Sequence, residues 1–293
     1  MIFDTHIHLN DDKLYINLDE YIKEAQEKGV KKFLCVGWDI ESSKKAVEIA
    51  HKYKDIVYAA VAIMPTEHRT YNKNSILELK ELAKDPCVRA IGEIGLDYYW
   101  EKTDEIKAKQ KEMFIEQINL ANELNLPISV HCRDAIQDTY EILKNFHVKR
   151  KSILHCYSGS LEMARLFMTL NFSFGFGGTL TYKNNKNAVN TFDNISLENI
   201  VFETDAPYLP PQEHRGKINR PSYIYETVLF AANRRNLEIE ELENISTRNA
   251  ENIFSREKIY ENKWIDSCWR KDRYWFSIII YWCRFLSSTW ECC

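Results

Sequence analysis

Residues 2–8 read Ile2-Phe3-Asp4-Thr5-His6-Ile7-His8, an apolar start that runs into two histidines two residues apart. Residues two apart on an extended strand point to one face, so His6 and His8 present their imidazoles side by side, a spacing that can bind one metal ion. Taken alone, the pair also reads as two incidental histidines near an N-terminus. The choice depends on whether the same pattern, an apolar run ending in a polar ligand type, recurs along the chain.

It does recur. Apolar runs without polar alternation occupy Ile2–Thr5, Lys32–Val36, Ile56–Ala62, Val88–Ile94, Pro127–His131, Ser152–His155, Phe172–Phe176 and Ile200–Glu203. Such runs fit strands covered on both faces. Amphipathic stretches separate them at Leu18–Lys28, Ser42–Tyr53, Asn74–Lys84, Glu105–Leu124, Ala135–Phe146, Leu161–Leu170, Asn185–Phe192 and Pro221–Arg234. Asn74 or Ser75 is expected to cap one helix and Ser160 another. Eight β-then-α units predict an α/β fold, a single-domain (β/α)8 TIM barrel. An open doubly wound sheet is the competing layout, but no glycine-rich fingerprint follows the first strand to support it.

Barrel enzymes gather their chemistry at the C-terminal ends of the strands. Glu93 ends the fourth run, His131 the fifth and His155 the sixth, and Asp205 follows the eighth. A carboxylate or imidazole buried there costs several kcal/mol unless something binds it, roughly the desolvation penalty of a buried charge. Each residue alone also reads as a satisfied buried polar group. Six of them, His6, His8, Glu93, His131, His155 and Asp205, from five strands and at one end, point to a metal centre. Nitrogen and oxygen donors without cysteine suit Mg²⁺, Mn²⁺ or Zn²⁺.

The segments Phe3-Asp4-Thr5-His6-Ile7-His8, Gly92-Glu93-Ile94-Gly95-Leu96-Asp97, Val130-His131-Cys132-Arg133, His155-Cys156-Tyr157-Ser158-Gly159 and Glu203-Thr204-Asp205-Ala206-Pro207-Tyr208 resemble, in order and spacing, the signature segments of TatD-family hydrolases. The resemblance covers residues 1–256 and implies a metal-dependent deoxyribonuclease, often a 3′-to-5′ exonuclease on single strands. On that reading two divalent cations sit at the mouth. Glu93 bridges them, His6, His8 and Asp205 complete one site, and His131 and His155 complete the other. Glu93 and Asp205 are the catalytic carboxylates, with Asp205 orienting water and taking its proton. Arg133 is placed to neutralise a phosphate oxygen, although a strand-end ion pair would explain it as well. Arg215, in a late Arg-Gly element, either contacts substrate or is a solvated loop charge. Tyr98, Tyr157 and Tyr208 border the motifs and are candidates for base stacking or for packing. Met64 stands where the family commonly has a histidine, in Ala62-Ile63-Met64-Pro65, which puts substrate handling in doubt more than metal binding. His51, His68 and His147 are expected to be surface residues without partners.

Lys+Arg 39 against Asp+Glu 43 gives a net charge of -4, which disfavours a long basic groove on duplex DNA but not capture of a single phosphate at a metal centre. No charged and then apolar leader opens the chain, so a cytoplasmic protein with reduced thiols is expected at Cys35, Cys87, Cys132 and Cys156. Residues 257–293 are unassigned. This tail holds five of the seven tryptophans and four of the eight cysteines. A frameshift or read-through past a stop codon would give that composition, and a membrane-surface or partner-binding anchor is the competing reading. Trp275–Cys283 is far shorter than the roughly 20 residues of a membrane helix, so no membrane span is expected. Two other functions stay open. One is hydrolysis of another ester or amide bond on the same scaffold, such as that of a D-aminoacyl-tRNA deacylase. The other is a non-catalytic metal-binding scaffold protein.

Overall fold

The computed structural model describes residues 1–256, which form one unit. The tail 257–293, with both readings of it, lies outside the described residues. Eight parallel strands run in sequence order: β1 (Ile2–Ile7), β2 (Val30–Val36), β3 (Val57–Val61), β4 (Val88–Asp97), β5 (Ile128–Arg133), β6 (Ser152–Leu154), β7 (Phe172–Phe176) and β8 (Ile200–Phe202). The last meets the first through Asp205 N–H to His6 O at 2.9 Å and His8 N–H to Ala206 O at 2.8 Å. Asp4 reinforces this seam by accepting from the backbone and side chain of Thr204 at 3.0 and 2.6 Å. The fold is the (β/α)8 barrel, and the doubly wound sheet is excluded.

The helices that cover it are α1 (Asp12–Tyr15), α2 (Leu18–Glu27), α3 (Ile40–Lys52), α4 (Lys73–Leu82), α5 (Asp104–Leu124), α6 (Ile136–Asn145), α7 (Leu161–Thr169), α8 (Lys186–Asn194), α9 (Ile224–Arg235) and α10 (Ile239–Phe254). Ser160 caps α7 as expected, accepting from Met163 N–H. For α4 the cap is Asn72, not Asn74 or Ser75. Ser75 is instead the third residue of a capping box and accepts from the Asn72 N–H. The sequence Asn72-Lys73-Asn74-Ser75 holds three competent caps, and the reciprocal pair satisfies two orphan donors where a single cap satisfies one.

Alternation along the strands sorts their side chains into two sets. Leu34, Val36, Ala60, Ala90, Ile153 and Val201 pack together inside the ring with Phe3. Their neighbours Phe33, Cys35, Ala59, Ile91, Leu154 and Phe202 pack outward beneath the helices. Ala250, Ile253 and Phe254 of α10 join the interior set, with Phe254 tilted 5.9 Å from Phe3. That plug leaves the opposite end of the ring, the C-terminal ends of the strands, as the open mouth.

Strict alternation would send His6 and Glu93 the wrong way, because each is three residues from an interior residue, Phe3 and Ala90. The ladders carry the correction. The β1–β2 register shifts between Asp4 and Ile7, and the β4–β5 register shifts between Ile91 and Ile94. Each irregularity adds one residue of phase and turns the polar side chain inward.

From α5, Gln110 and Gln117 reach back to the strand ends two helical turns apart. Gln117 clamps both the N–H and C=O of Ile63, each at 2.9 Å, and Gln110 does the same to Asp97 at 2.9 and 3.0 Å. We expect Gln117→Leu to leave two buried backbone groups without partners and to cost about 2–6 kcal/mol of stability, at about 1–3 kcal/mol for each group. Urea denaturation checks this, and an unchanged midpoint contradicts it.

Candidate metal centre

The mouth gathers all six residues picked out by the strand-end pattern. Glu93 lies at their centre and divides its oxygens. Its Oε1 is 2.6 Å from His131 Nδ1 and 2.9 Å from His155 Nε2. Its Oε2 is 3.6 Å from His6 Nε2 and 3.9 Å from His8 Nε2. Asp205 lies against the second group, with Oδ1 3.4 Å from His8 Nε2 and 4.0 Å from His6 Nε2. The result is two triads that share one carboxylate, His6/His8/Glu93 and Glu93/His131/His155, each with its donor atoms within 4.8 Å of one another.

Three of the four imidazoles are hydrogen-bonded from behind, and the fourth faces a carboxylate. His8 Nδ1 lies 3.0 Å from Val36 O, a contact that only an N–H can make, so the Nδ1 proton is fixed there. His6 Nδ1 is 3.2 Å from Ser129 Oγ, and His131 Nε2 is 3.0 Å from Asp97. His155 Nδ1 faces Glu203, whose Oε1 takes the Cys156 N–H at 2.6 Å. The His6 ring stacks on that of His155 at 3.9 Å, nearly parallel. His6 Nε2 on the Glu93 side, and His155 Nδ1 with Glu203 Oε2 on the far side, are buried without a hydrogen-bond partner.

Electrostatics follow from this packing. Burial opposes charge on Glu93, but His155 and His131 outweigh it and hold the carboxyl well below its usual range. Burial likewise opposes a proton on His155, and Glu93 with Glu203 reverses the sign and lifts it well above the usual imidazole range. His131 and His8 are raised for the same reason, against burial, by Glu93 with Asp97 and by Asp205 with Glu93. His6 moves the other way, lowered by burial and then by its neighbour His155.

The close approaches need glycine at two positions. Gly95 has φ +145, and a Cβ there would lie 1.9 Å from His131 O. A Cβ on Gly175 would lie 2.1 Å from Glu203 Oε2, in the space that lets this carboxylate reach the cluster. Asp205 itself takes a left-handed backbone, φ +54, which aspartate tolerates better than most residues.

Next to the cluster opens a cavity of about 890 Å³, lined by His131, His155 and Asp205 together with Arg133 and Arg215. Arg133 has no carboxylate partner among the described residues. Its guanidinium sits 3.8 Å over the ring of Tyr99, which removes the ion-pair reading. Arg215 lies 4.7 Å over the ring of Tyr182. Tyr98 and Tyr157 are packing residues, with hydroxyls on Asp138 and Ser160 O at 2.7 and 2.8 Å, whereas Tyr208 is exposed beside His8. Met64 supplies no donor atom to the cluster. It lies three residues past the end of β3, and its N–H binds Trp38 O at 2.8 Å. Cys35, Cys87, Cys132 and Cys156 are free thiols, and burial pushes Cys156 up to about 12.

Two expectations about histidines fail. His51 pairs with Asp85 at 2.8 Å, and the side chain of His68 is only 9% exposed, 3.6 Å from Glu101. The sequence reading also passed over Asp97 and Glu203. Both stand inside the quoted motifs, and their position beside a strand-end ligand was the available signal.

A (β/α)8 barrel whose mouth holds paired histidine–carboxylate triads defines a metal-dependent hydrolase scaffold. The chain belongs to the TatD related DNase family, whose model matches residues 3–255. It is 39% identical to the uncharacterized metal-dependent hydrolase YabD of Bacillus subtilis over 87% of this chain and 99% of that one. It is 31% identical to YcfH of Escherichia coli K12, also an uncharacterized metal-dependent hydrolase, over 86% of this chain and 95% of that one. The crystal structure of the TatD homologue YjjV from Escherichia coli K12 superposes with a TM-score of 0.82 at 26% identity, over 87% and 98% of the two chains. No helix among the described residues is long and apolar enough to cross a membrane.

We expect Gly95→Ala to destabilise the fold by on the order of 3 kcal/mol, because the new methyl meets backbone rather than a yielding side chain. Thermal unfolding followed by circular dichroism reads this directly, and a melting temperature equal to that of the parent chain would show that β4 and β5 are not held this closely.

Proposed function

We propose that the mouth binds two divalent cations and hydrolyses phosphodiester bonds of DNA. The observation that carries this reading is the sharing of Glu93 between two donor triads, one oxygen toward each. The donor set fits the ions. His8 has its Nδ1 proton committed to Val36 O, so Nε2 is the atom it turns toward Asp205 and could offer to a cation once deprotonated, and His6 Nε2 is buried without a partner. Lone pairs turned toward carboxylate oxygens repel unless a proton or a cation lies between them. Mg²⁺, Mn²⁺ and Zn²⁺ all accept such nitrogen and oxygen donors.

When bound, divalent cations act as Lewis acids toward the phosphodiester and generate a nucleophile from water at neutral pH. The chain's own residues do the rest. His6, His8 and Asp205 would hold one cation and His131 and His155 the other, with Glu93 offering one oxygen to each. The Asp205 carboxylate orients the attacking water and takes its proton. Arg133 and Arg215, both in the cavity wall, neutralise non-bridging phosphate oxygens. Asp97, Ser129 and the Val36 carbonyl keep three imidazoles in the ligating orientation. DNA as the substrate is supported by the family's name and by these two arginines beside the cluster.

We expect purified protein with added Mg²⁺ or Mn²⁺ to cleave single-stranded DNA and bis-p-nitrophenyl phosphate, and to lose both activities with EDTA. His131→Ala and Asp205→Asn should abolish turnover while the far-ultraviolet spectrum stays that of the parent. Full activity in either variant would overturn the assignment. Cleavage of an aminoacyl ester but not of DNA would move the substrate while keeping the centre. Asp97→Asn should retain folding and lower activity about 10- to 100-fold, since it removes the orienting partner of a ligand rather than a ligand. Parent-like kinetics in that variant would show that His131 is oriented by other contacts.

A further inference from the structure

We propose that Tyr99 and Trp100, with Arg133 stacked against them, form a platform that holds a nucleobase of a single-stranded substrate beside the mouth. The inference rests on the phosphodiesterase reading and extends it to how the strand is gripped.

Three aromatic residues follow β4 in a row, Tyr98-Tyr99-Trp100, and the fold treats them differently. Tyr98 is buried with its hydroxyl on Asp138. Tyr99 and Trp100 are left 45% and 67% exposed, and they pack edge to face at 4.9 Å and 87°. Large rings are rarely left in water side by side without a use. The guanidinium of Arg133 lies 3.8 Å from the Tyr99 centroid and 5.5 Å from that of Trp100, with no carboxylate partner among the described residues. The nearby Glu101 is engaged by Arg69 at 2.9 Å and does not take it.

The platform is fixed in register with the cluster. Asp97 accepts the Tyr99 N–H at 2.9 Å through one oxygen and contacts His131 Nε2 at 3.0 Å through the other. Gln110 clamps the Asp97 backbone on both sides. Arg133 stands two residues beyond His131 on β5 and lines the same cavity. One carboxylate therefore spaces the rings from the centre where a phosphate would react.

A nucleobase is the occupant these features suit. A planar base can stack on an exposed indole whatever its identity, and a guanidinium over the same rings adds a cation–π contribution while it faces a phosphate. A chain of net charge -4 has no general attraction for phosphates, so stacking adds a share of the grip that charge alone does not supply. Bases inside a duplex already stack on each other and offer no free face. The platform therefore selects single strands and unpaired ends.

The test compares Trp100→Ala, Tyr99→Ala and Trp100→Phe on two single-stranded oligonucleotides of equal length, one normal and one with abasic residues at the cleaved end. On the normal strand the alanine variants should raise KM roughly 5- to 150-fold, the range expected for one lost stack, with little change in kcat. Trp100→Phe should recover most of the loss. On the abasic strand the alanine variants and the parent should converge. Parent turnover with an unchanged KM in both alanine variants overturns the platform alone, as does an equal loss on both strands. A parent protein that turns over neither strand with any of the three cations removes the phosphodiesterase reading, and the platform falls with it. Because neither side chain is part of the buried core, thermal unfolding of each variant should match the parent.

Discussion

Everything at the mouth depends on one carboxylate that is almost wholly withdrawn from solvent. Glu93 is 3% exposed and faces four imidazoles, two on each oxygen. An isolated buried carboxylate costs several kcal/mol, and only close opposite charge and hydrogen bonds offset that cost. The ring of histidines does so, and each histidine in turn needs a partner on its far side. The chain of obligations runs outward to Asp97, Ser129, Val36 O and Glu203, and from Asp97 to Gln110 on α5. A polar network of this kind tolerates little displacement, because each partly satisfied member is more costly than an apolar residue in its place. The left-handed Gly95, the missing side chain at Gly175 and the two register shifts are the local features that this network demands.

Those departures mark where the sequence stops being legible. The eight apolar runs coincide with the strands to within a few residues, because strands covered on both faces must be continuously apolar, whatever their neighbours. The six strand-end residues were legible for the opposite reason: a charged side chain just beyond such a run has few explanations. Phase was not legible. Counting by twos from Phe3 or Ala90 places His6 and Glu93 on the outer face, and only the irregular ladders show how they turn inward.

Partners distant in sequence were hidden for a simpler reason. His51 with Asp85 is separated by 34 residues, and nothing local to either announces the pair. The aromatic run Tyr98-Tyr99-Trp100 is another case. Composition picks out the three rings but cannot say which one finds a hydroxyl partner and sinks, and the Tyr98–Asp138 bond across 40 residues decides it. The capping box at Asn72 was lost among adjacent capable residues, where the choice depends on which reciprocal pair closes.

The charge balance at the mouth bears on the proposed function. Glu93, Asp205, Glu203 and Asp97 place four carboxyl groups at or behind the mouth, against the guanidinium groups of Arg133 and Arg215 on the cavity wall. Protonated imidazoles offset the carboxylates in the absence of any other cation, and this is the direction in which His8, His131 and His155 are all displaced. A phosphate arriving at the mouth requires positive charge on its far side, and the histidines cannot keep those protons and also serve as ligands. Loading of divalent cations and capture of an anionic substrate are therefore linked equilibria in the proposed mechanism: each favours the other by the same factor, and protonation of the histidines opposes the loading of cations. Met64 stands outside this balance, since a thioether carries no charge and holds a hard cation poorly, so its presence just past the end of β3 leaves the electrostatics of the six-residue cluster as they are.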